Sequence, residues 1–363
     1  MSGRQEPGPA PNRQAAAEQD GLGRVPFVDL GLDRPHDPAR RAANARAIGR
    51  ACETGGFFLA TGHGVPRDTI AAVYDAAARF FSLPDGVKST MDAEPGDPLQ
   101  RGFIRGDLEK YSLSRLGEPV AAGWKPLQDP VLGIPNKWPA LPEFREPCLA
   151  YYAAVEAVAM QVTQLFALAL ELPENWFHDK FDRHMTQLAV NHYQPHSAAF
   201  EGRRFRNDPH QDWGTLTLLH QGDDDTDGLQ ILGESEQWLD IPYSPDTFVV
   251  HIGDLMARWT NDRWASAIHR VLNPPPEDRR RDRTSLAFFY QPNHDAVVEC
   301  IPTCATESDP PKYPPVVSHD YIAAKIRRAY VVGRLAQAGR TLQQVGGVPR
   351  LRPDDARRAA PRS

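Results

Sequence analysis

Thr186-Gln187-Leu188-Ala189-Val190-Asn191-His192-Tyr193 marks the point where the hydrophobic pattern changes from helical spacing to short apolar runs broken by turns. Downstream, Gly214 to His220, Leu229 to Leu232, Trp238 to Ile241, Thr247 to Ile252, Ala267 to Leu272 and Thr284 to Tyr290 read as further strands. Strands at this spacing, punctuated by Gly and Pro, predict an antiparallel sandwich or barrel, with a jelly roll preferred. Upstream the chain reads mainly helical. Asp37-Pro38 offers an N-cap and a first-turn proline to a helix running through Ile48 and Ala51 to Gly55-Gly56. Gly56 to Ala60 reads as a buried strand, and Ile70, Val73, Tyr74, Ala77, Phe80 and Phe81 keep helical spacing. Leu141 to Leu172 is the longest periodic segment, the spine on which a sheet would pack. A last helix, Ser318 to Ala338, carries Tyr321, Ile322, Ile326, Tyr330 and Val331 at helical spacing, so it should bury that face against the barrel mouth. The fold class expected is α+β: a jelly-roll core with flanking helices, a helical N-terminal region and a C-terminal helix.

At 363 residues, 41% hydrophobic and 24% charged, the chain has ample material for a large core. Residues 1–23 and 341–363 lack large apolar residues at any useful spacing and are expected to be disordered. They would flank an N-terminal region, 24–140, and a jelly-roll domain, 141–340. The net charge of −6, without long runs of one sign before the last dozen residues, argues against nucleic acid or an anionic membrane and for a small molecule or another protein as the partner. Four cysteines in no paired spacing, Cys52, Cys148, Cys300 and Cys304, read as reduced, buried thiols. No apolar run approaches the roughly 20 residues that span a bilayer, and no secretory leader precedes the fold, so a cytoplasmic protein is expected. Nothing in the sequence sets the oligomeric state.

The chemistry starts at Asp208-Pro209-His210-Gln211-Asp212-Trp213-Gly214. On an extended strand His210 and Asp212 point the same way, giving an imidazole and a carboxylate on one face: two-thirds of a ferrous facial triad. His269, in the apolar run Ala267-Ile268-His269-Arg270-Val271, is the best third ligand. Fourteen residues on, Arg283-Thr284-Ser285 places a guanidinium fork and a hydroxyl on one face, a pairing suited to a carboxylate. Each of these has an ordinary structural reading alone; together, in this order, they carry force.

With these residues the sequence resembles the 2-oxoglutarate and ferrous-iron dependent oxygenases of the isopenicillin N synthase-like type. Further motifs with counterparts in that family are Val25 to Leu30, Ala51 to Phe58 followed by Gly62 to Pro66, Phe80 to Pro84, Asn191 to Pro195, Trp259 to Asp262 and Lys312 to Pro315. The resemblance covers about residues 24 to 335. It implies that His210, Asp212 and His269 bind Fe(II), and that Arg283 and Ser285 hold the distal carboxylate of the cosubstrate 2-oxoglutarate. Tyr193 would add a hydroxyl donor, Asn191 would lie near the metal, and Phe289 would pack on the substrate. Such an enzyme uses O2 to convert 2-oxoglutarate to succinate and CO2 while hydroxylating, desaturating or cyclising a metabolite, commonly in secondary metabolism such as antibiotic biosynthesis. An oxidase of the same fold that needs no 2-oxoglutarate, and a non-catalytic binding protein, are the rival readings. Arg101 and Arg105 are candidate substrate residues in a pocket wall drawn from Arg101 to Leu116, where Lys110 also hints at an anionic substrate. His192 and His251 stand where the family usually has other residues. Both are expected to be packing variants that leave iron binding unaffected.

Overall fold

In the computed structural model, residues 25–106, 108–118, 133–195, 205–222, 228–274 and 282–337 are described. Both terminal segments expected to be disordered, 1–23 and 341–363, lie outside these. β1 (Phe27–Asp29) leads into α1 (Pro38–Thr54), whose N-cap Asp37 accepts from the amides of Ala39 and Arg40 and whose first residue is the proline. At the far end Gly56, with φ 72°, turns the chain into β2 (Phe57–Thr61); a methyl group there would sit 2.0 Å from the Ala265 carbonyl oxygen. α2 (Arg67–Phe81) follows, then the hairpin β3 (Gly102–Ile104) and β4 (Leu108–Ser114). α3 (Arg145–Ala169) is the spine helix, packed against α1, α2 and the sheet.

The strands that complete the two large sheets are β5 (Gln187–Tyr193), β6 (Phe205–His210), β7 (Leu216–His220), β8 (Leu229–Leu232), β9 (Trp238–Asp240), β10 (Phe248–Ile252), β11 (His269–Leu272) and β12 (Arg283–Tyr290). A short helix, α4 (Asp254–Trp259), follows β10, and α5 (Ser318–Gln337) ends the described chain. Eight strands form a major sheet in the order β1-β2-β10-β7-β12-β5-β4-β3, and four form a minor sheet, β6-β11-β8-β9. Every pair in both is antiparallel except β1 with β2. This is the expected jelly roll, extended at both edges by strands from the N-terminal third.

Strand alternation divides the major sheet's residues between two faces. Leu188, Val190, Leu286 and Phe288 join the large core shared with α3. Their neighbours Ala189, Tyr193, Leu219 and Ala287 face the minor sheet and form a second, smaller cluster around the barrel interior. α3 corrects the expectation about apolar stretches: by length and composition it could cross a bilayer. It is apolar because most of its circumference is core, with Tyr151, Val155, Val162 and Phe166 fully enclosed. The motif Trp259-Thr260-Asn261-Asp262 proves to be a helix stop. Asn261 and Asp262 both adopt left-handed backbone, and the Asn261 side chain accepts from the Lys312 amide at 2.8 Å, tying down Lys312-Tyr313. Three cysteines are buried and all four are free thiols, Cys300 being only half-buried.

Candidate metal centre and its cavities

The minor sheet brings the two histidines together: His210 at the end of β6 is the cross-strand partner of His269 at the start of β11. Their rings lie 4.1 Å apart between centroids. In each ring Nδ1 donates to a backbone carbonyl two residues earlier, Asp208 at 2.8 Å and Ala267 at 3.2 Å, which leaves Nε2 as the free lone pair. Asp212 lies just beyond β6, on the turn and not on the strand, so strand alternation does not explain its direction. Backbone hydrogen bonds do. The Asp254 amide donates to the Asp212 carbonyl at 2.8 Å, the Leu255 amide to Gly214 at 2.9 Å and the Gly253 amide to Thr215 at 3.1 Å. One donor atom from each of His210, Asp212 and His269 falls within 4.8 Å of the other two.

The Asp212 carboxylate has an orientation that sequence reasoning did not foresee. His251 on β10 and Thr217 on β7 are cross-strand partners in the major sheet. Both donate to Oδ2, His251 through Nε2 at 2.7 Å and Thr217 through its hydroxyl. With Oδ2 occupied twice, Oδ1 is the oxygen left for a metal. His251, expected to be a packing variant, is more than that, because the two sheets face each other here and bring it onto the carboxylate. Burial by itself would raise the Asp212 carboxyl, but the charge and hydrogen bond of His251, with His269 and His210, hold it well below the usual carboxylate range. Burial, reinforced by His251, lowers His269 to about 3 and so favours the neutral, ligating form. His192 points to the opposite face of β5, stacked on Phe81 and bonded to Glu109 and Asp282 at 3.1 Å each.

The inner cavity beside this cluster, about 180 Å³, is lined by Asn191, Tyr193, Arg283 and Ser285. Register explains the grouping, since Arg283 pairs with Tyr193 and Ser285 with Asn191 across β12 and β5. Arg283 is buried, its guanidinium lies 5.0 Å from the Tyr193 ring centre, and its Nη1 has no hydrogen-bond partner. A buried guanidinium nitrogen without a partner is a costly arrangement unless a bound anion completes it. An outer cavity of about 230 Å³ adjoins the first through His210, Asp212, Lys110 and Phe289, and is closed on one side by Trp213 and by Ile322 and Ile326 of α5. Tyr330 and Val331 have side chains outside the described residues. Arg101 and Arg105 are corrected as substrate residues. Arg101 turns inward to Asp97 in a buried pair at 2.9 Å, Arg105 pairs with Asp85 at 2.8 Å on the surface, and neither lines the inner or the outer cavity.

Residues 185–292 match the model of the 2OG-Fe(II) oxygenase superfamily, and residues 25–141 match that described as the N-terminal region of non-haem dioxygenases in morphine synthesis. The chain is 35% identical over 322 residues to the 2-oxoglutarate-Fe(II) type oxidoreductase hxnY of Emericella nidulans, covering 84% of this chain and 90% of that one. It is 34% identical over 300 residues to validamycin A dioxygenase of Streptomyces hygroscopicus subsp. limoneus, covering 78% and 80%. Among solved structures, a full-length Neurospora crassa protein in complex with alpha-KG and thymine superposes with a TM-score of 0.75 at 28% identity, over 86% of this chain and 98% of that one.

Proposed function

Because the chain belongs to the 2-oxoglutarate and Fe(II) dependent oxygenases of the isopenicillin N synthase-like superfamily, we propose that His210, Asp212 and His269 hold its iron. Arg283, with Ser285, Tyr193 and Asn191, holds its 2-oxoglutarate in the same proposal. The protein is an Fe(II)- and 2-oxoglutarate-dependent dioxygenase that oxidises a small molecule. The assignment of residues rests above all on one observation: three metal donors converge within 4.8 Å beside a cavity that is also lined by buried Arg283, whose Nη1 has no partner.

The donor set fits a ferrous ion, since two neutral imidazoles and one carboxylate leave positions open for other ligands. The bound ion supplies the redox chemistry that couples O2 reduction and decarboxylation of 2-oxoglutarate to oxidation of a substrate C–H bond. The chain's own contribution is position. Backbone carbonyls fix both imidazole tautomers, and His251 with Thr217 fixes which carboxylate oxygen faces the metal. Arg283 offers a fork to the distal carboxylate, and Ser285 on the same face offers a hydroxyl. Phe289 forms a wall common to both cavities, so a substrate in the outer one lies against the cosubstrate site. Ile322 and Ile326 give the outer side an apolar wall. Hydroxylation in the cytoplasm is the outcome we assign. Anaerobic Fe(II) titration of the wild type and His269→Ala, paired with succinate measurement across a metabolite panel, tests this. Stoichiometric iron uptake lost in the variant is expected, and full activity of His269→Ala would refute the assignment.

A further inference from the structure

The outer cavity contains a cation that the iron and 2-oxoglutarate sites do not use. Lys110 on β4 stands beside Asn191 in the register and lines both cavities. Its ammonium donates to Oε1 of Gln100, which lines the outer cavity and not the inner one, so the charge is turned toward the substrate side. The other five described lysines, Lys88, Lys137, Lys180, Lys312 and Lys325, each sit within 4.0 Å of a carboxylate. Among the described residues Lys110 has no such partner.

Charge balance identifies what is missing. The charged side chains lining the inner cavity are Lys110, Asp212 and Arg283. A ferrous ion, the Asp212 carboxylate, the Arg283 guanidinium and the 2-oxoglutarate dianion cancel among themselves, and a charged His251 would add only to the positive side. Lys110 is left as an unmatched positive charge in a wall whose other polar groups are His210 and Asp212 of the metal cluster, His319 and a few amides, the rest being apolar side chains such as Leu99, Met185, Trp213, Phe289 and Ile322. Burial pushes its amine down to about 8, as expected of an enclosed cation with no counter-charge. Enclosing a charge this way is unfavourable unless an anion arrives to pair with it.

We propose that the substrate is a small acid, its carboxylate or other anionic oxygen paired with Lys110 and its apolar body lying between Phe289, Trp213 and Ile322. This rests on the residue assignment above and adds the substrate's charge to it. Lys110 is thus a specificity-determining residue.

The full-length protein, loaded anaerobically with Fe(II) and 2-oxoglutarate, is titrated by calorimetry with two acid–amide pairs: benzoate with benzamide, and cyclohexanecarboxylate with cyclohexanecarboxamide. The acids should bind ~10-fold or more tightly than their amides, the range of a charged hydrogen bond in an enclosed site. Lys110→Met should erase that preference while 2-oxoglutarate affinity stays within about twofold, and Lys110→Arg should retain it. Equal binding of acids and amides by the wild type would overturn the proposal. So would a tenfold loss of 2-oxoglutarate affinity in Lys110→Met, which would make Lys110 a cosubstrate residue. A wild type that takes up neither iron nor 2-oxoglutarate would instead refute the assignment beneath it, and this proposal with it.

Discussion

His251→Leu removes one of the two donors on Asp212 Oδ2 and keeps a side chain of similar bulk on β10. The lost bond, 2.7 Å from Nε2 to a buried carboxylate oxygen, is of the charged kind, for which about 1.5–3 kcal/mol is typical. Thr217 still donates to the same oxygen, so the carboxylate retains one restraint but gains freedom to rotate Oδ1 away from the histidines. If that energy is expressed in metal binding, the dissociation constant for Fe(II) should rise roughly 10- to 100-fold, the range usual for partners of a metal ligand. His251→Gln, which can present an N–H at about the same reach, should recover most of it. The assay is anaerobic Fe(II) titration followed by intrinsic fluorescence, with a far-UV spectrum and thermal melt to establish that each variant is folded. A folded His251→Leu protein binding Fe(II) within twofold of the wild type would refute the reasoning, and would mean that Thr217 alone sets the carboxylate.

Arg283→Ala should raise the dissociation constant for 2-oxoglutarate well over tenfold, because losing one member of a buried charge pair costs about 2–5 kcal/mol; calorimetry on the iron-loaded protein reads this directly. Gly253→Ala should weaken iron binding without replacing any ligand, since the added methyl would lie 2.4 Å from the Gly214 carbonyl oxygen and 2.9 Å from that of Asp212 and so push on the turn that carries the carboxylate; iron titration of the folded variant checks it. Benzoate affinity should be full below about pH 8 and fall as pH rises through it, because the Lys110 amine is lowered to about 8 and is charged only below that value. The other titratable groups lining the two cavities are His210, Asp212, His319, Tyr193, His251, His269 and Arg283, of which Asp212 and His269 are shifted downward, away from this window. Replacing Ile322 and Ile326 together with Ala should lower substrate-dependent succinate formation more than the substrate-independent reaction, as a wall that matters once substrate is bound would; equal losses in both would remove α5 from the pocket.

β5 was legible to the residue because Leu188-Ala189-Val190 is a short apolar run, as expected of a strand buried on both faces, with breaks in the pattern at both ends. β6 was not, because Phe205-Arg206-Asn207-Asp208-Pro209-His210 is polar and carries a proline, which only an edge strand tolerates. β4 escaped for a related reason: Glu109 and Lys110 interrupt its pattern, one paired with Lys88 on the outer face and the other turned into the cavity. His210 with Asp212, and Arg283 with Ser285, could be read because each pair is local in sequence, and His269, though 57 positions on from Asp212, because an imidazole in an apolar run stands out. His251 lies 39 residues beyond Asp212, and its contact arises only when the two sheets close on each other. Arg101 and Arg105 were misjudged because proximity in sequence to a pocket wall says nothing about which carboxylates, here Asp97 and Asp85, claim a guanidinium first.

The turn that carries Asp212 is held through its main chain, by amides of the β10–α4 corner donating to the carbonyls of Asp212, Gly214 and Thr215. The neighbouring side chains Gln211 and Trp213 face the outer cavity and take no part in those bonds beyond a single Gln211 amide contact to the Ser266 carbonyl. Selection or an engineer can therefore vary positions 211 and 213 to reshape the chamber while the carboxylate between them keeps its place. Two adjacent demands on one short stretch, a fixed donor and an adaptable wall, are separated onto backbone and side chain, so substrate range can drift without retesting the metal centre at each step.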